Sequence, residues 1–299
     1  MSVREERRPA ATLPPSSMTV RIDGADPSGA RAPLPTDPRQ GPALGADFRT
    51  ALEAALTALE LDLGMGLRTA IESQVRLLLA WNEAINLTAI REPAAIALEH
   101  VADSLAALAP LAKAGVDARP ALVDLGSGAG YPGLPLGLAL PAGRVTLVDS
   151  IGKKARFLQV AGDAALAAMT AAGEPVPELE VVAGRAEAMG RGGRHRGQHD
   201  VVTARAVGPL AELAELALPL LRPGGLLVAW KREGGASDPL GRELADADRL
   251  LPSLGGAIEA VARVAVPGLE DHRLVLIRAM RPTPSRYPRP PAERRRVRA

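Results

Sequence analysis

Between Asp124 and Gly133 the chain reads Asp-Leu-Gly-Ser-Gly-Ala-Gly-Tyr-Pro-Gly, directly after the apolar run Ala121-Leu122-Val123. A strand that ends on an acid and opens into glycines lets a ligand approach bare backbone, and the helix that follows aims its unpaired N–H groups at that ligand. A second acid-terminated strand, Arg144-Val-Thr-Leu-Val-Asp149, sets a carboxylate 23 residues beyond Gly126. An acid at about that spacing can grip the two hydroxyls of a ribose. The pattern predicts a nucleoside-cofactor site, with Asp124, Gly126, Gly128 and Gly130 lining the turn and Asp149 on the ribose. Read from Gly128, the glycines at 128, 130 and 133 match the dinucleotide fingerprint, so NAD stays open on glycines alone. Read from Gly126, the sixth position is Tyr131 and the acid lies two residues upstream, the D-x-G-x-G arrangement of S-adenosylmethionine enzymes. We prefer the methyl donor.

The next chemistry sits at Thr203-Ala-Arg205-Ala206, the expected end of a fourth strand, which lacks an Asn/Asp-Pro-Pro-Tyr/Phe run. Methylation of an exocyclic amine calls for an acceptor of the amine's hydrogens, whereas an Arg only donates. Guanine N7 carries a lone pair and no proton, so attack on a sulfonium methyl needs positioning rather than a base. With no cysteine in the chain, a Cys nucleophile and the covalent route to a pyrimidine carbon are excluded. Arg205 is the one catalytic candidate, and no metal site is expected. Glu187, just past the third strand, falls where an adenine ring would lie. His100, Asp103 and Ser104 share a helix face; His100 and Asp103 could touch RNA or organise the site entrance, and we favour a hydrogen-bonded pair that anchors the cap to the sheet.

These residues need a scaffold of 299 residues, 47% hydrophobic and 23% charged but only 2% aromatic, so the core is built from many small aliphatic contacts. Residues 1–45 hold eight prolines and four glycines without apolar periodicity and read as a disordered extension. Helical spacing begins with Phe48, Leu52, Leu56 and Leu59, continues through Ile71, Val75, Leu78 and Leu79, and resumes from Pro93 to about Ala109. Residues 46–110 are thus expected as a helical cap, 111–280 as a doubly wound α/β sheet domain, and 281–299 as a basic Pro/Arg-rich tail. The strand and helix signals run Leu179 to Ala183, His199 to Arg205, a Pro-Gly-Gly turn into a strand ending at Trp230, a helix at Leu240 to Leu251, and two closely spaced strands at Ile258 to Val266 and Leu274 to Ile277. No stretch is read as approaching the ~18 apolar residues of a membrane span, and no signal peptide is read at the start. A cytoplasmic monomer without membrane contact is expected.

In order along the chain, H-V-A-D-S (100–104), D-L-G-S-G-A-G-Y-P-G-L-P-L (124–136), L-V-D-S-I-G-K-K-A-R-F-L (147–158), T-A-R-A (203–206) and P-S-R-Y-P-R (284–289) together resemble the bacterial 16S ribosomal RNA guanine-N7 methyltransferase family, also known as glucose-inhibited division protein B. The likeness spans roughly residues 70 to 290. It implies a Rossmann-like class I methyltransferase fold, contacts from Gly126, Tyr131, Ala186, Glu187 and Arg205 to S-adenosylmethionine, and a substrate guanine in the 530 loop of 16S ribosomal RNA, free or within the small subunit. Lys231-Arg232 departs from the usual Lys-Gly of the family. The competing classes are an NAD oxidoreductase, a methyltransferase for another RNA or a small molecule, and a nucleotide-binding ribosome-associated protein without catalysis. For holding RNA, the candidates are Lys153, Lys154, Arg156, Lys231, Arg232, Arg286 and Arg289. The tail, with seven Arg against one Glu, carries +6 in a chain of net +2, which leaves the body acidic and concentrates positive charge where a polyanion would meet it.

Overall fold

A computed structural model describes residues 33–116, 119–140, 143–234 and 239–295. The described residues from Leu34 onward form one compact unit, and the expected disordered extension lies, over residues 1–32, outside the described residues. Its last part, residues 34–45, is packed instead. Asp37 caps a 3-10 turn at Pro38–Gln40, Leu44 is buried, and the Trp81 indole N–H donates to the Pro35 carbonyl at 2.7 Å. The prolines that suggested disorder here fix a short extended segment against the second helix.

The helical layer comprises α1 (Ala46–Ala58) and α2 (Met65–Asn82). A longer helical path follows: α3 (Pro93–Ile96), a π-helical turn (Ala97–Ala102), α4 (Asp103–Leu105) and α5 (Leu108–Lys113). The path runs past the expected end at Ala109 because Pro110 falls in the first turn of α5, where its missing N–H breaks no helical bond. Contrary to the sequence reading, Pro93–Lys113 is long and apolar enough to cross a membrane by composition. Most of it is buried in the domain, as befits a core helix. The π turn is a local widening of the kind found at functional sites, and it carries Glu99 and His100.

The sheet follows as β1 (Ala121–Leu125), α6 (Gly133–Ala139), β2 (Arg144–Asp149), α7 (Gly152–Ala171), β3 (Glu178–Ala183), α8 (Ala186–Arg191), β4 (His199–Arg205), α9 (Leu210–Ala217), β5 (Leu221–Arg232), α10 (Pro239–Leu254), β6 (Gly256–Arg263), β7 (His272–Ala279) and α11 (Pro291–Arg295). Strand order is β3-β2-β1-β4-β5-β7-β6. The first five strands are parallel, and β7 enters antiparallel between β5 and β6. The expected Pro-Gly-Gly turn is part of β5: the register jumps from His199↔Leu221 to Val201↔Leu226, so Arg222 to Gly225 bulge out of the ladder.

Two hydrophobic layers cover the two faces. On one, Phe48, Leu56, Ile71, Leu78, Trp81 and Phe157 pack with Leu122, Val228 and Leu276 of the sheet. The cap is therefore continuous with the sheet's core rather than a separate domain. Trp81 and Phe157 meet edge to face at 5.5 Å, joining α2 to α7. On the other face, α9, α10 and Tyr287 cover Val202, Leu227 and Ile277. Residues 281–295, part of the expected basic Pro/Arg-rich tail, lie along this face as a strap. The Arg196 guanidinium donates to the carbonyls of Thr283 (2.8 Å), Pro284 (3.1 Å) and Tyr287 (2.8 Å), and Tyr287 shares a hydrogen bond of 3.0 Å with Ser253.

Candidate active site

The turn after β1 has the geometry its glycines suggested. Gly126, Gly128 and Gly130 take φ of 69°, 53° and 88°, a left-handed region costly to residues with a Cβ. Gly133 is needed for another reason: a Cβ there would lie 2.4 Å from the Asp124 Cβ, so only glycine lets α6 start so close to β1. Asp149, at the end of β2, accepts from the Gly128 N–H at 3.0 Å and the Ile151 N–H at 2.8 Å, tying the turn to the neighbouring strand. The Gly184 N–H donates to the Asp149 carbonyl at 3.0 Å, bringing the loop that leads to Ala186 and Glu187 to the same edge. Asp124, Asp149, the three turn glycines and the start of α8 are thus assembled at the carboxyl ends of β1, β2 and β3.

Asp124 is fully buried, and burial raises its pKa to about 6 against the opposing hydrogen bond from the Thr203 hydroxyl. That hydroxyl donates to Oδ1 at 2.7 Å, while Oδ2 makes no full hydrogen bond among the described residues, although the Gly133 N–H also favours the ionised carboxyl. The Tyr131 hydroxyl is likewise buried and unpartnered among the described residues, and burial holds its pKa above the ordinary value. Such orphaned polar atoms are rare in folded proteins and are what a polar ligand in the turn would satisfy. The residues present therefore fit a nucleoside cofactor of the predicted kind.

Tyr131 leads to a second group of side chains. Its ring stacks on His100 with centroids 4.7 Å apart, and the Arg205 guanidinium lies 5.8 Å from the same ring. Arg205 Nη1 donates to the Glu99 carbonyl (2.8 Å) and to Asp103 Oδ2 (3.0 Å), and Nη2 donates to His100 Nδ1 (2.9 Å). Because a guanidinium has no acceptor, His100 Nδ1 must accept. The ring proton then sits on Nε2, which donates to the Thr88 hydroxyl at 2.8 Å. Burial, with help from Arg205, drives the His100 pKa down to about 3, so the ring is neutral at neutral pH. Asp103 takes a further bond from His272 Nδ1 at 2.8 Å, and its backbone carbonyl accepts from the Trp230 indole at 2.9 Å.

The anchoring role expected for His100 and Asp103 is present, but its form is corrected: their side chains do not bond each other, and both bond Arg205. Arg205 was missed as their partner because it lies about a hundred residues away in sequence. Ala206 follows with φ 59°, a strained conformation for a residue with a Cβ. A cleft of about 360 Å³ opens between this network, Ile90, Trp230 and Arg232. A larger cavity, about 730 Å³, lies between Ala58–Glu60, α5 and the β6 edge. Its walls are chiefly alanine and aliphatic, and it is remote from the glycine turn, so we place the chemistry at the smaller cleft.

The basic residues divide. Lys153, Lys154 and Arg156 stand at the start of α7, immediately after Asp149, with Lys153 and Arg156 exposed. Arg232 reaches Glu99 (3.4 Å) and Asp271 (3.6 Å) loosely at the cleft mouth, and Arg286 is exposed over the Tyr287 ring. Lys231, by contrast, has its half-buried ammonium between the Gly208 carbonyl (2.7 Å) and Glu243 (2.6 Å). Arg289 likewise grips both carboxylate oxygens of the buried Glu215. Glu187 is present at the expected edge, with its Oε1 bonded to Arg294 at 2.5 Å. No cluster of three metal-ligating side chains occurs among the described residues.

A parallel sheet closed by one antiparallel strand, a glycine turn after β1 and an acid ending β2 define a Rossmann-like methyltransferase of class I. Comparison with known proteins gives the family. The model of the GidB family, rRNA small subunit methyltransferase G, matches residues 68–240. The chain is 40% identical over 243 residues to the ribosomal RNA small subunit methyltransferase G of Symbiobacterium thermophilum, covering 81% of this chain and 94% of that protein. It is 44% identical over 212 residues to that of Chloroflexus aggregans (71% and 82%) and 41% identical over 235 residues to that of Deinococcus radiodurans (76% and 85%). The chain belongs to the rRNA small subunit methyltransferase G family.

Proposed function

We propose that this chain transfers the methyl group of S-adenosylmethionine to N7 of a guanine in the 530 loop of 16S ribosomal RNA, in the cytoplasm, on the RNA or the small subunit. The observation that carries the choice of N7 is the end of β4. Thr203 commits its hydroxyl proton to Asp124, and Arg205 presents donors only, so no acceptor there awaits the hydrogens of an exocyclic amine. When bound, the methyl donor supplies an electrophilic methyl on a sulfonium. The chain's own residues hold and orient: Asp149 is suited to the ribose hydroxyls, Ala186 and Glu187 to the adenine, and the N–H groups of the Gly126 to Gly130 turn to the amino-acid end. Arg205, fixed by His100 and Asp103, stands between that turn and the 360 Å³ cleft where a base would enter. Neutral His100 is spent on Arg205 and Thr88, which fits a reaction without a general base.

The test is methyl transfer from labelled donor to 16S RNA, followed by mass spectrometry and by aniline cleavage after mild reduction, to which N7-methylguanine is sensitive. One cleaved guanine in the 530 loop is expected, absent from cells lacking the protein. N6-methyladenine, or ribosomal RNA unchanged by loss of the protein, would overturn the reading.

A further inference from the structure

The carboxylate of Glu187 is held by the far end of the chain. Arg294 of α11 donates from Nη2 to Glu187 Oε1 and from Nη1 to the Arg289 carbonyl at 2.9 Å. Its side chain is only 3% exposed. The helix that carries Glu187, α8, has six residues, and its other end meets the same strap: a Cβ on Gly190 would lie 3.1 Å from the Pro288 ring, and Arg191 Nε reaches the Pro288 carbonyl at 3.5 Å. Arg289 fixes the strap in turn through Glu215, whose side chain is 1% exposed. So the placement of Glu187 depends on residues 287–294 as well as on its own short helix. Burial pushes the Glu187 carboxyl up, but its backbone hydrogen bond and the Arg294 guanidinium outweigh that and hold it below the ordinary range. It is therefore ionised at neutral pH.

We propose that Arg294 is a positioning residue for the adenine end of the methyl donor: by bonding Oε1 it fixes the Glu187 side chain so that the carboxylate can accept from the exocyclic amine. This rests on reading the site as one for S-adenosylmethionine. A Glu two residues into a six-residue helix, left to itself, samples several rotamers and must be ordered at the moment of binding. Arg294 performs that ordering when the protein folds, which raises affinity without touching the ligand. An ionised carboxylate only accepts, so a fixed Glu187 also favours an amine over a carbonyl at that position of the purine.

The test is calorimetry on the full chain with S-adenosylhomocysteine and with S-inosylhomocysteine, in which a carbonyl replaces the amine. Arg294→Ala is expected to weaken the adenosyl ligand by about fivefold while leaving the inosyl ligand unchanged. In a Glu187→Gln background, the further change Arg294→Ala should have no effect on the adenosyl ligand. Equal weakening of both ligands would show the strap to be a general support and overturn the proposal, as would unchanged or tighter binding of the adenosyl ligand. Wild-type protein that binds neither ligand would overturn the reading of the site itself, a result distinct from the others.

Discussion

Arg205 shows how one side chain can be fixed on every side. Three hydrogen bonds, to Glu99, Asp103 and His100, use the fork geometry of its guanidinium. A lysine ammonium is a point charge and cannot span those three acceptors. Arg205→Lys is therefore expected to lower single-turnover methyl transfer about 10- to 100-fold, the loss of one or two charge-assisted bonds. Near-normal turnover would deny Arg205 a placed role. Asp149 bonds the Gly128 and Ile151 N–H groups, and in the proposed function it is also the residue that would grip the ribose hydroxyls. Asp149→Ala should weaken the methyl donor by on the order of 2 to 4 kcal/mol, read by calorimetry, and unchanged affinity would take Asp149 out of the cofactor site.

At the level of elements, the strap changes where positive charge is available. Its Arg289 and Arg294 are spent on Glu215 and Glu187, whereas Lys153 and Arg156 on α7 are exposed beside the cofactor edge. Replacing Lys153, Lys154 and Arg156 by Ala is expected to lower the salt-dependence slope of RNA binding by roughly 2 units, and an unchanged slope would move the RNA contact elsewhere. Arg289→Ala should act differently, destabilising the fold by about 3 kcal/mol in urea unfolding because the buried Glu215 carboxylate loses its paired charge and keeps only the backbone N–H of residue 289. A stability equal to wild type would show the pair to be idle. The contrast explains what was legible in the sequence. Strands β1, β2 and β4 were clear because apolar runs ending on Asp124, Asp149 and Arg205 are local signals. The pairings Arg205–Asp103, Arg289–Glu215 and Arg294–Glu187 were not, because they join residues 74 to 107 apart in sequence and no local pattern marks them. The extended path of residues 34–45 was hidden for a similar reason: proline-rich composition describes the chain before it meets a partner surface such as α2.

For the molecule as a whole, buried histidines set the response to acid. His199, 1% exposed, has both ring nitrogens unpartnered among the described residues, and burial takes its pKa down to about 3, as it does for His100. The unfolded chain binds these two protons near pH 6.5 and the folded chain does not, so stability falls as pH drops below that value. Asp124, raised to about 6, works the other way between about pH 6 and 4, since there the folded state binds the extra proton. The histidines outnumber it, so stability is expected to fall by roughly 2 to 3 kcal/mol from pH 6.5 to 5. Urea unfolding at both values would measure it, and His199→Leu should flatten the dependence; an equal fall in that variant would acquit the histidine. A different exposure follows from the place of β7. It is the last strand to be synthesised yet lies between β5 and β6, so until His272–Ala279 is made, the wholly buried run Leu226 to Trp230 of β5 keeps an open ladder edge. An apolar strand with unpaired N–H and C=O groups recruits other strands. Chains ended before His272 should therefore collect in aggregates, making the order of synthesis a hazard that the finished topology conceals.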